Sequence, residues 1–180
     1  GASLEGYLYP ESFQKTAETS PKTIITASLN EMQKHLTPEL RAGMVRQGLT
    51  VHEGVILASV VDQEVSNPED KKVVAQVFLR RLREGRALES DATAVYGAIM
   101  NGAKPSLTYD SEYNTYTHKG LPPSPISNVS KSGLDAVANP AKTNYLFFVA
   151  GDDGKTYFSQ TLEEHEQLVK EHCKKLCSSQ

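Results

Sequence analysis

Apolar residues recur at helical spacing through the middle of the chain. Residues 55–66 read VILASVVDQEVS and carry apolar side chains at three- and four-residue intervals. This period predicts a helix with a buried face. Thr50-x-x-Glu53 is a capping box, which predicts that the helix begins at about Val51. Asn67-Pro68 ends it, because proline disfavours helical geometry in the residue before it.

Cap signals predict further helices on both sides of this one. Ser20-Pro21 and Thr37-Pro38 each place a capping side chain before a proline at the first helical position. The helices they begin should run through Leu36 and to about Gln47. Asn67 caps a helix that ends at Gly85, and Ser90 or Asp91 can cap residues 92–100. In the Asn67 helix we expect an inward apolar face and mostly outward arginines: Val73, Val74, Val77, Phe78 and Leu82 inward, and Arg80, Arg81 and Arg83 outward.

The remaining segments are shorter and include strands. Residues 4–9 (LEGYLY) predict a strand or extended segment, and residues 120–126 (GLPPSPI) predict a stiff loop because proline fixes φ. Ser130 can cap a short helix to Ala138. Residues 145–150 and 155–159 predict a hairpin across a Gly-Asp-Asp-Gly turn. Thr161 begins a terminal amphipathic helix with a second capping box. Many helices with a few strands near the ends predict an α+β fold.

Composition narrows the class of protein. The 180 residues are 38% hydrophobic and 23% charged. These fractions are typical of a globular domain. The net charge of −3 gives no reason to expect nucleic acid or an anionic membrane as partner. No run approaches the roughly 18 apolar residues of a spanning helix. No oligomer signal is present, so we expect a monomer.

The two cysteines lie four residues apart near the C-terminus. Cys173 and Cys177 lack partners at metal-ligand spacing, although His172 is adjacent. We expect free thiols on the terminal helix.

Glu64 is the candidate for chemistry on the central helix. It follows Leu57, Val60 and Val61 at helical spacing, so it lies on the apolar stripe close to the helix C-terminus. Apolar surroundings and the negative end of the helix dipole both raise the pKa of a carboxyl group. A carboxylic acid that stays protonated near neutral pH can act as a general acid. The alternative is a last-turn surface residue, or a carboxylate neutralised by an arginine.

Other common chemistries lack support in the sequence. There is no G-x-S-x-G elbow, no H-E-x-x-H or H-x-x-x-H pair, no P-loop and no G-x-G-x-x-G. We therefore expect no zinc, nucleotide or other cofactor. A shielded acid, polar clusters and a rigid loop suit protonation of the ether oxygen in a sugar chain. Glycosidases generally use two carboxylates, and the possible second ones are Asp91 and Glu89. Asp91 can instead be a helix N-cap.

Short motifs follow one another along nearly the whole chain, from Leu4 to His165. They are LEGYLYP at 4–10, ASVV at 58–61 leading to Glu64, Val77-Phe78, Arg81-Leu82, Ser90-Asp91 with Thr93 and Tyr96, YNTY at 113–116, GLPP at 120–123, Pro125-Ile126, YLFFVA at 145–150, and Phe158 with Glu164-His165. Together these motifs resemble the catalytic domain of endolytic murein transglycosylases of the MltG (YceG-like) family. The shared order and spacing make the resemblance specific.

The resemblance implies a lysozyme-like helical core and cleavage of the MurNAc–GlcNAc β-1,4 bond inside peptidoglycan strands. It assigns the catalytic glutamate to Glu64 and leads us to expect 1,6-anhydro-MurNAc ends. Related lytic transglycosylases use a Tyr-Asn pair in the cleft, which suggests Tyr113 and Asn114. The expected substrate-binding residues are Glu89, Ser90, Asp91, Thr93, Tyr113, Asn114, Tyr116 and Pro122.

The resemblance also implies a setting in the bacterial cell envelope, on the extracytoplasmic face of the plasma membrane, with cell-wall synthases as possible partners. We expect residues 4–180 to form one catalytic domain and residues 1–3 to be a cloning remnant. The membrane anchor and LysM-like region of the family are expected to lie outside this chain.

Several positions depart from the family pattern. Asp62 stands where glutamate is usual, and Glu89 stands where glutamine is usual. The others are Arg80 for asparagine, Ala92 for proline, Ser124 for glycine, Val129-Ser130 for Pro-Gly, and Thr156 for histidine. Glu89 adds an acid close to the expected cleft, where it can raise the pKa of Glu64 or alter a sugar subsite.

Two other functions stay open at this point. A hydrolytic muramidase would give reducing ends and would need a water held by Asp91 or Glu89. A peptidoglycan-binding module would bind glycan without cleaving it, although Glu64 on its apolar face argues against that.

Overall fold

The computed structural model describes residues 3–177, and residues 1 and 2 of the expected cloning remnant lie outside that range. The described chain folds into seven helices and one two-stranded sheet. They are α1 Pro21–His35, α2 Pro38–Arg46, α3 Val51–Glu64, α4 Pro68–Arg83, α5 Asp91–Met100, α6 Lys131–Ala138, β1 Phe147–Ala150, β2 Thr156–Ser159 and α7 Leu162–His172. The predicted α+β class is confirmed.

The helices begin where the cap signals predicted. In six of the helices a side-chain oxygen before the first turn accepts a backbone N–H of that turn. This bond satisfies a donor that has no partner within the helix. Both capping boxes are formed, at Thr50 with Glu53 and at Thr161 with Glu164. The sequence therefore determines helix starts locally, before tertiary packing adds to their stability.

Helix α3 is the centre of the core. Every residue from Gly54 to Val61 is buried on it, and α2, α4, α5 and α6 pack around it. The close approach of α3 to α2 requires glycine at position 54, because a Cβ atom on Gly54 would overlap the Met44 sulfur on α2. A helix buried on all sides holds its last residue, Glu64, in a fixed position.

The two strands form an antiparallel hairpin against this helical body. Phe148 pairs with Phe158 and Val149 with Tyr157, which confirms the predicted hairpin. The Phe148 ring meets Phe78 of α4 edge to face, with centroids 5.7 Å apart. Aromatic rings favour this arrangement because the positive edge of one ring meets the negative face of the other. The hairpin is thereby fixed beside α4 and contributes one wall to the space around Glu64.

The prediction of a strand or extended segment at residues 4–9 is wrong. This segment turns instead, with the Tyr7 N–H donating to Leu4 O at 3.0 Å and Gly6 at a φ of +85°. The Gly6 N–H donates to Asn128 Oδ1 at 3.0 Å. A side chain therefore satisfies a backbone amide that would pair with a neighbouring strand in a sheet. Among the described residues no strand lies beside it to pair with.

The expectation that Arg81 faces outward is also wrong. Arg83 is exposed, but Arg81 is only 6% exposed. Arg81 lies three and four residues after Phe78 and Val77, so it continues the inward face of α4. Three acceptors compensate the buried guanidinium, and they are described with the site.

The cysteines form a disulfide, so the prediction of free thiols on the terminal helix is wrong. Helix α7 ends at His172, and the chain folds back so that the Cys173 and Cys177 Cα atoms lie 5.5 Å apart. The Asp152 carboxylate accepts the backbone N–H groups of residues 174–176 and stabilises this reversal. None of the described helices is both long and apolar enough to cross a membrane.

Candidate active site

Glu64 is the last residue of α3 and lies at a cleft. The chain leaves the helix at Val65 in extended geometry, which frees the space beyond the Glu64 side chain. Glu64 is partly exposed, and the Ser90 hydroxyl donates a hydrogen bond to its Oε1. Glu64 therefore combines contact with solvent on one side with protein contacts on the others.

The surroundings raise the pKa of Glu64 to about 7, mainly because burial penalises the carboxylate. The charge of Asp91 raises this pKa further, whereas the Ser90 hydrogen bond and the charge of Arg81 lower it. Arg81 does not neutralise Glu64 as a direct partner, since its hydrogen bonds go to other acceptors. A carboxyl group with this pKa is present in both protonation states near pH 7, as general acid and base chemistry requires.

The cleft around Glu64 has a volume of about 290 Å³. Its walls come from four parts of the chain: the ends of α3 and α4, the start of α5 with the tyrosine-rich loop, strand β1, and α7 with the C-terminal reversal. The lining residues are Glu64, Val65, Arg81, Glu89, Asp91, Tyr116, Phe148, Val149, Ala150, His165, Val169, Cys173, Leu176 and Cys177.

A buried hydroxyl network holds Ser90 in place. The Ser90 N–H donates to Thr115 Oγ1 at 3.1 Å, and the Thr93 hydroxyl donates to Ser90 O at 2.7 Å. Thr93 Oγ1 and Thr115 Oγ1 are 2.7 Å apart. Ser90 is the N-cap residue of α5 but makes no capping hydrogen bond with its side chain, which instead reaches Glu64. Thr93 is fully buried and supports Ser90 from below the cleft.

Asp91 and Tyr116 lie together in the lining of the cleft, at a part of it that we call the rim. Asp91 is the first residue of α5 and not its N-cap, so the capping interpretation is wrong. Its carboxylate accepts a hydrogen bond from the Tyr116 hydroxyl. Burial and the neighbouring Asp91 raise the pKa of Tyr116, which stays protonated at neutral pH. The Tyr116 residue is 42% exposed. It can therefore offer an apolar face to a sugar ring.

The other three residues expected from the sequence lie behind this rim. Asn114 is fully buried, and its amide donates to Leu107 O at 3.0 Å and to Tyr109 O at 2.8 Å. The Tyr113 hydroxyl lies 2.6 Å from Ser124 Oγ, and Pro122 is buried. These side chains are not among those that line the cleft. They hold the tyrosine-rich loop that carries Tyr116.

Sequence reasoning missed one wall of the cleft. His165, Phe148 and the cysteine pair are not among the residues that the sequence predicts for the site, and Arg81 is predicted to face outward. The signals were present but weak: Arg81 is in phase with Val77 and Phe78, and His165 follows Glu164 of a capping box. Only the fold brings these segments to Glu64. The described residues contain no group of three or more histidine, cysteine, aspartate or glutamate side chains arranged to hold a metal ion.

Comparison with known proteins gives consistent matches. The model of the YceG-like family matches residues 2–171. The endolytic murein transglycosylase of Bacillus subtilis (strain 168) is 32% identical over 173 residues, covering 94% of this chain and 48% of that protein. The endolytic murein transglycosylase of Streptococcus pneumoniae serotype 2 is 33% identical over 178 residues, covering 94% of this chain and 32% of that protein. The chain thus spans half or less of the length of these curated relatives.

A solved structure agrees in fold. The crystal structure of a YceG-like protein from Listeria monocytogenes superposes with a TM-score of 0.80 at 38% identity, covering 92% of this chain and 55% of that one. The family match extends over nearly the whole chain and includes every segment that lines the cleft up to Val169. The chain belongs to the YceG-like family.

Proposed function

We propose that this chain is the catalytic domain of an endolytic lytic transglycosylase that cleaves the MurNAc–GlcNAc β-1,4 bond inside peptidoglycan strands and leaves 1,6-anhydro-MurNAc ends. The observation that carries the proposal is Glu64, a carboxyl group with a pKa raised to about 7 at the end of a buried helix in a cleft. The names of the relatives support the substrate class.

In the first step, the protonated Glu64 gives its proton to the glycosidic oxygen. The bond between that oxygen and C1 of MurNAc breaks, and the N-acetyl group of the same sugar stabilises the positive charge that develops at C1. Burial favours the neutral form of Glu64 over its carboxylate, so a protonated Glu64 is present near neutral pH to make this proton transfer. The Ser90 hydroxyl then stabilises the carboxylate that results.

In the second step, the Glu64 carboxylate takes the proton from the C6 hydroxyl of MurNAc. O6 bonds to C1, which closes the 1,6-anhydro ring and restores the protonated acid. No water is consumed, because the attacking oxygen belongs to the substrate. A single carboxyl group is therefore sufficient, provided that the cleft holds the sugar so that O6 reaches C1.

We propose that the rim binds the sugars, with Tyr116 stacking on a ring and Asp91 and Glu89 within reach of hydroxyl or amide groups. Ser90 is buried outside the cleft lining, so it would act through its hydrogen bond to Glu64. Thr93, Tyr113, Asn114 and Pro122 would act by holding that rim. The helices around α3 would correspond to the lysozyme-like core of the family. We further propose a monomeric domain that acts in the cell envelope on glycan strands, where cell-wall synthases are candidate partners.

The test is mass spectrometry of muropeptides released from purified peptidoglycan by the wild-type chain. Anhydro-muramoyl ends are the expected product. Absence of any cleavage by folded protein would contradict the proposal and favour a glycan-binding module.

A hydrolytic muramidase is the second candidate, because Asp91 and Glu89 place further carboxylates in the same cleft. Either could position a water to attack C1 once Glu64 has protonated the leaving group. Reducing ends in the same mass spectra would identify this reaction, and Asp91→Asn and Glu89→Gln would show which carboxylate holds the water.

A further inference from the structure

Arg81 is a buried cation beside the cleft. The residue is 6% exposed. Its charge must therefore be compensated inside the protein. Its Nη1 donates to Leu88 O at 2.6 Å and to Glu89 Oε2 at 3.0 Å, and its Nε donates to Leu146 O at 3.1 Å. One guanidinium thus joins α4 to two separate segments.

Both segments lead directly into the site. Leu88 and Glu89 precede Ser90, whose hydroxyl donates to Glu64. Leu146 precedes β1, which forms the hairpin wall of the cleft. The guanidinium also lies 5.5 Å from the centroid of the Phe147 ring. Its planar group of donors suits several acceptors at fixed angles better than a lysine ammonium does.

The segment before Ser90 needs such support. Glu89 has a φ of +54°. This conformation costs energy for a residue with a side chain and persists only where the surroundings impose it. Arg81 holds the Leu88 carbonyl and the Glu89 carboxylate from one side. Thr115 holds the Glu89 and Ser90 N–H groups from the other, at 3.1 Å in both cases.

We propose that Arg81 is a positioning residue of this active site: it fixes the 88–90 segment and the hairpin wall, and thereby holds the Ser90 hydroxyl against Glu64. The inference rests on the proposed function, since it assigns Arg81 a part in that reaction. Arg81 acts through Ser90 and the cleft wall and makes no bond to the reacting atoms.

Arg81 also contributes a positive charge to a largely acidic cleft. The titratable groups around Glu64 are Asp91 at the start of α5, Tyr116 on the loop, Glu89 before α5 and His165 on α7. The Arg81 charge lowers the pKa of Glu64 and that of His165. Removal of the Arg81 charge should therefore raise the pKa of Glu64.

The experiment compares Arg81→Met, Arg81→Lys and the control Arg80→Met. Arg80 is the adjacent residue, bonds Glu84 Oε1 at 2.8 Å and Asn144 O at 2.6 Å, and lies outside the cleft lining. Two readouts are used: kcat and KM on purified glycan strands across pH, and the pKa of Glu64 from ¹³C NMR of its carboxyl group. The NMR titration needs no turnover.

We expect Arg81→Met to lower kcat by about tenfold or more, because misplaced catalytic groups lose rate steeply. In Arg81→Met the alkaline limb of the pH–rate profile should move to higher pH, and the pKa of Glu64 should rise. Arg81→Lys should keep the Glu64 pKa closer to wild type yet retain the loss in kcat, since one ammonium cannot reach all three acceptors. Arg80→Met should leave both readouts unchanged.

Three results would overturn the inference. They are a wild-type kcat in Arg81→Met, full recovery of kcat in Arg81→Lys, or a loss of stability in Arg81→Met with no change in the Glu64 pKa of the folded protein. If the wild-type chain releases no product, the proposed function fails, while the NMR titration still decides whether Arg81 controls Glu64.

Discussion

Asp62 and Glu64 are two carboxyl groups on the last turn of α3, and they have opposite surroundings. Asp62 faces α6, where Lys71 Nζ lies 2.7 Å from its Oδ1 and the Ser130 N–H lies 2.6 Å from its Oδ2. Glu64 faces the cleft, where a hydroxyl donates to it and a second carboxylate raises its pKa. A shift of two positions along a helix turns a side chain by about 200°, which is enough to separate these environments.

The difference shows what makes a carboxyl group structural or reactive. Around Asp62 the carboxylate contacts the Lys71 cation and accepts two hydrogen bonds from Ser130, and these contacts fix the start of α6. Around Glu64 desolvation dominates, so the proton is retained to about pH 7. Asp62 and Ser130 are both positions at which the resemblance implies a departure from the family pattern, and the two residues contact each other.

The largest expected effect comes from Glu64→Gln. The amide keeps the size and the neutral charge of the protonated acid but cannot transfer a proton, so turnover should fall by about 10²–10⁴-fold or more. Muropeptide release by the variant measures this, and circular dichroism checks that the fold is intact. Activity close to wild type would remove Glu64 from the mechanism.

Breaking the structural pair should change stability and leave the chemistry in place. Lys71→Met leaves the Asp62 carboxylate buried beside Ser130, and removal of one partner from a buried pair costs about 3–5 kcal/mol. Both side chains are 8% exposed, which supports a value in that range. Urea unfolding measures the loss.

The double variant Asp62→Asn, Lys71→Met is the control for this prediction, because it leaves no buried charge. It should be more stable than Lys71→Met alone. Specific activity of the folded fraction should stay near wild type in both, and a loss of turnover equal to that of Glu64→Gln would show that the two carboxyl groups are not separate in function.

The sequence predicts the local features of this fold well. It predicts poorly which distant segments of the chain come together at the cleft. Thr50, Asn67 and Thr161 begin helices through bonds within four residues, so their signals can be read directly. Glu64 could be chosen because its apolar neighbours share its helix. The helical phase of Arg81 indicates the inward face of α4, but its acceptors Leu88 and Leu146 come from two other segments and cannot be predicted from that helix.

Contacts that only the folded chain makes also explain why the predictions for Asn114 and the two cysteines differ from the structure. A Tyr-Asn pair suggests a cleft by resemblance, but Asn114 satisfies carbonyls of its own loop, which only backbone geometry shows. The disulfide requires α7 to end at His172 and the chain to reverse over Asp152. No spacing rule for two cysteines predicts that reversal.

A third prediction concerns stability against pH. The folded pKa of Glu64 is about 7 and its ordinary value is 4.5, so the native state holds a proton that the unfolded state releases between those values. Its contribution to stability is therefore fully present below the ordinary pKa and is lost as pH rises through the folded pKa. Glu64→Gln keeps a neutral group throughout.

Glu64→Gln should thus match the wild type at pH 4 and exceed it at pH 8 by about 3 kcal/mol, from roughly 1.4 kcal/mol for each pKa unit between 4.5 and about 7. Urea unfolding of both proteins at pH 4, 6 and 8 measures the difference. Equal stability at all three values would show that burial does not hold the Glu64 proton.

The smallest expected effect concerns Ser90, which distinguishes Glu64 from an isolated buried acid. Its hydroxyl stabilises the carboxylate and lowers the Glu64 pKa. Ser90→Ala should therefore raise that pKa and move the alkaline limb of activity to higher pH. Turnover near neutral pH should fall by an amount equivalent to about 0.5–1.5 kcal/mol, typical of one hydrogen bond.

Ser59→Ala is the matched control for Ser90→Ala. Ser59 is a buried serine on α3 whose hydroxyl donates to Ile56 O at 2.7 Å and accepts the Ile126 N–H at 3.0 Å. Its removal should lower stability without moving the limb, because its hydroxyl does not bond Glu64. If the alkaline limb stays in place in Ser90→Ala, or moves to lower pH, Ser90 does not stabilise the Glu64 carboxylate. Desolvation and the neighbouring charges alone would then set the pKa of Glu64.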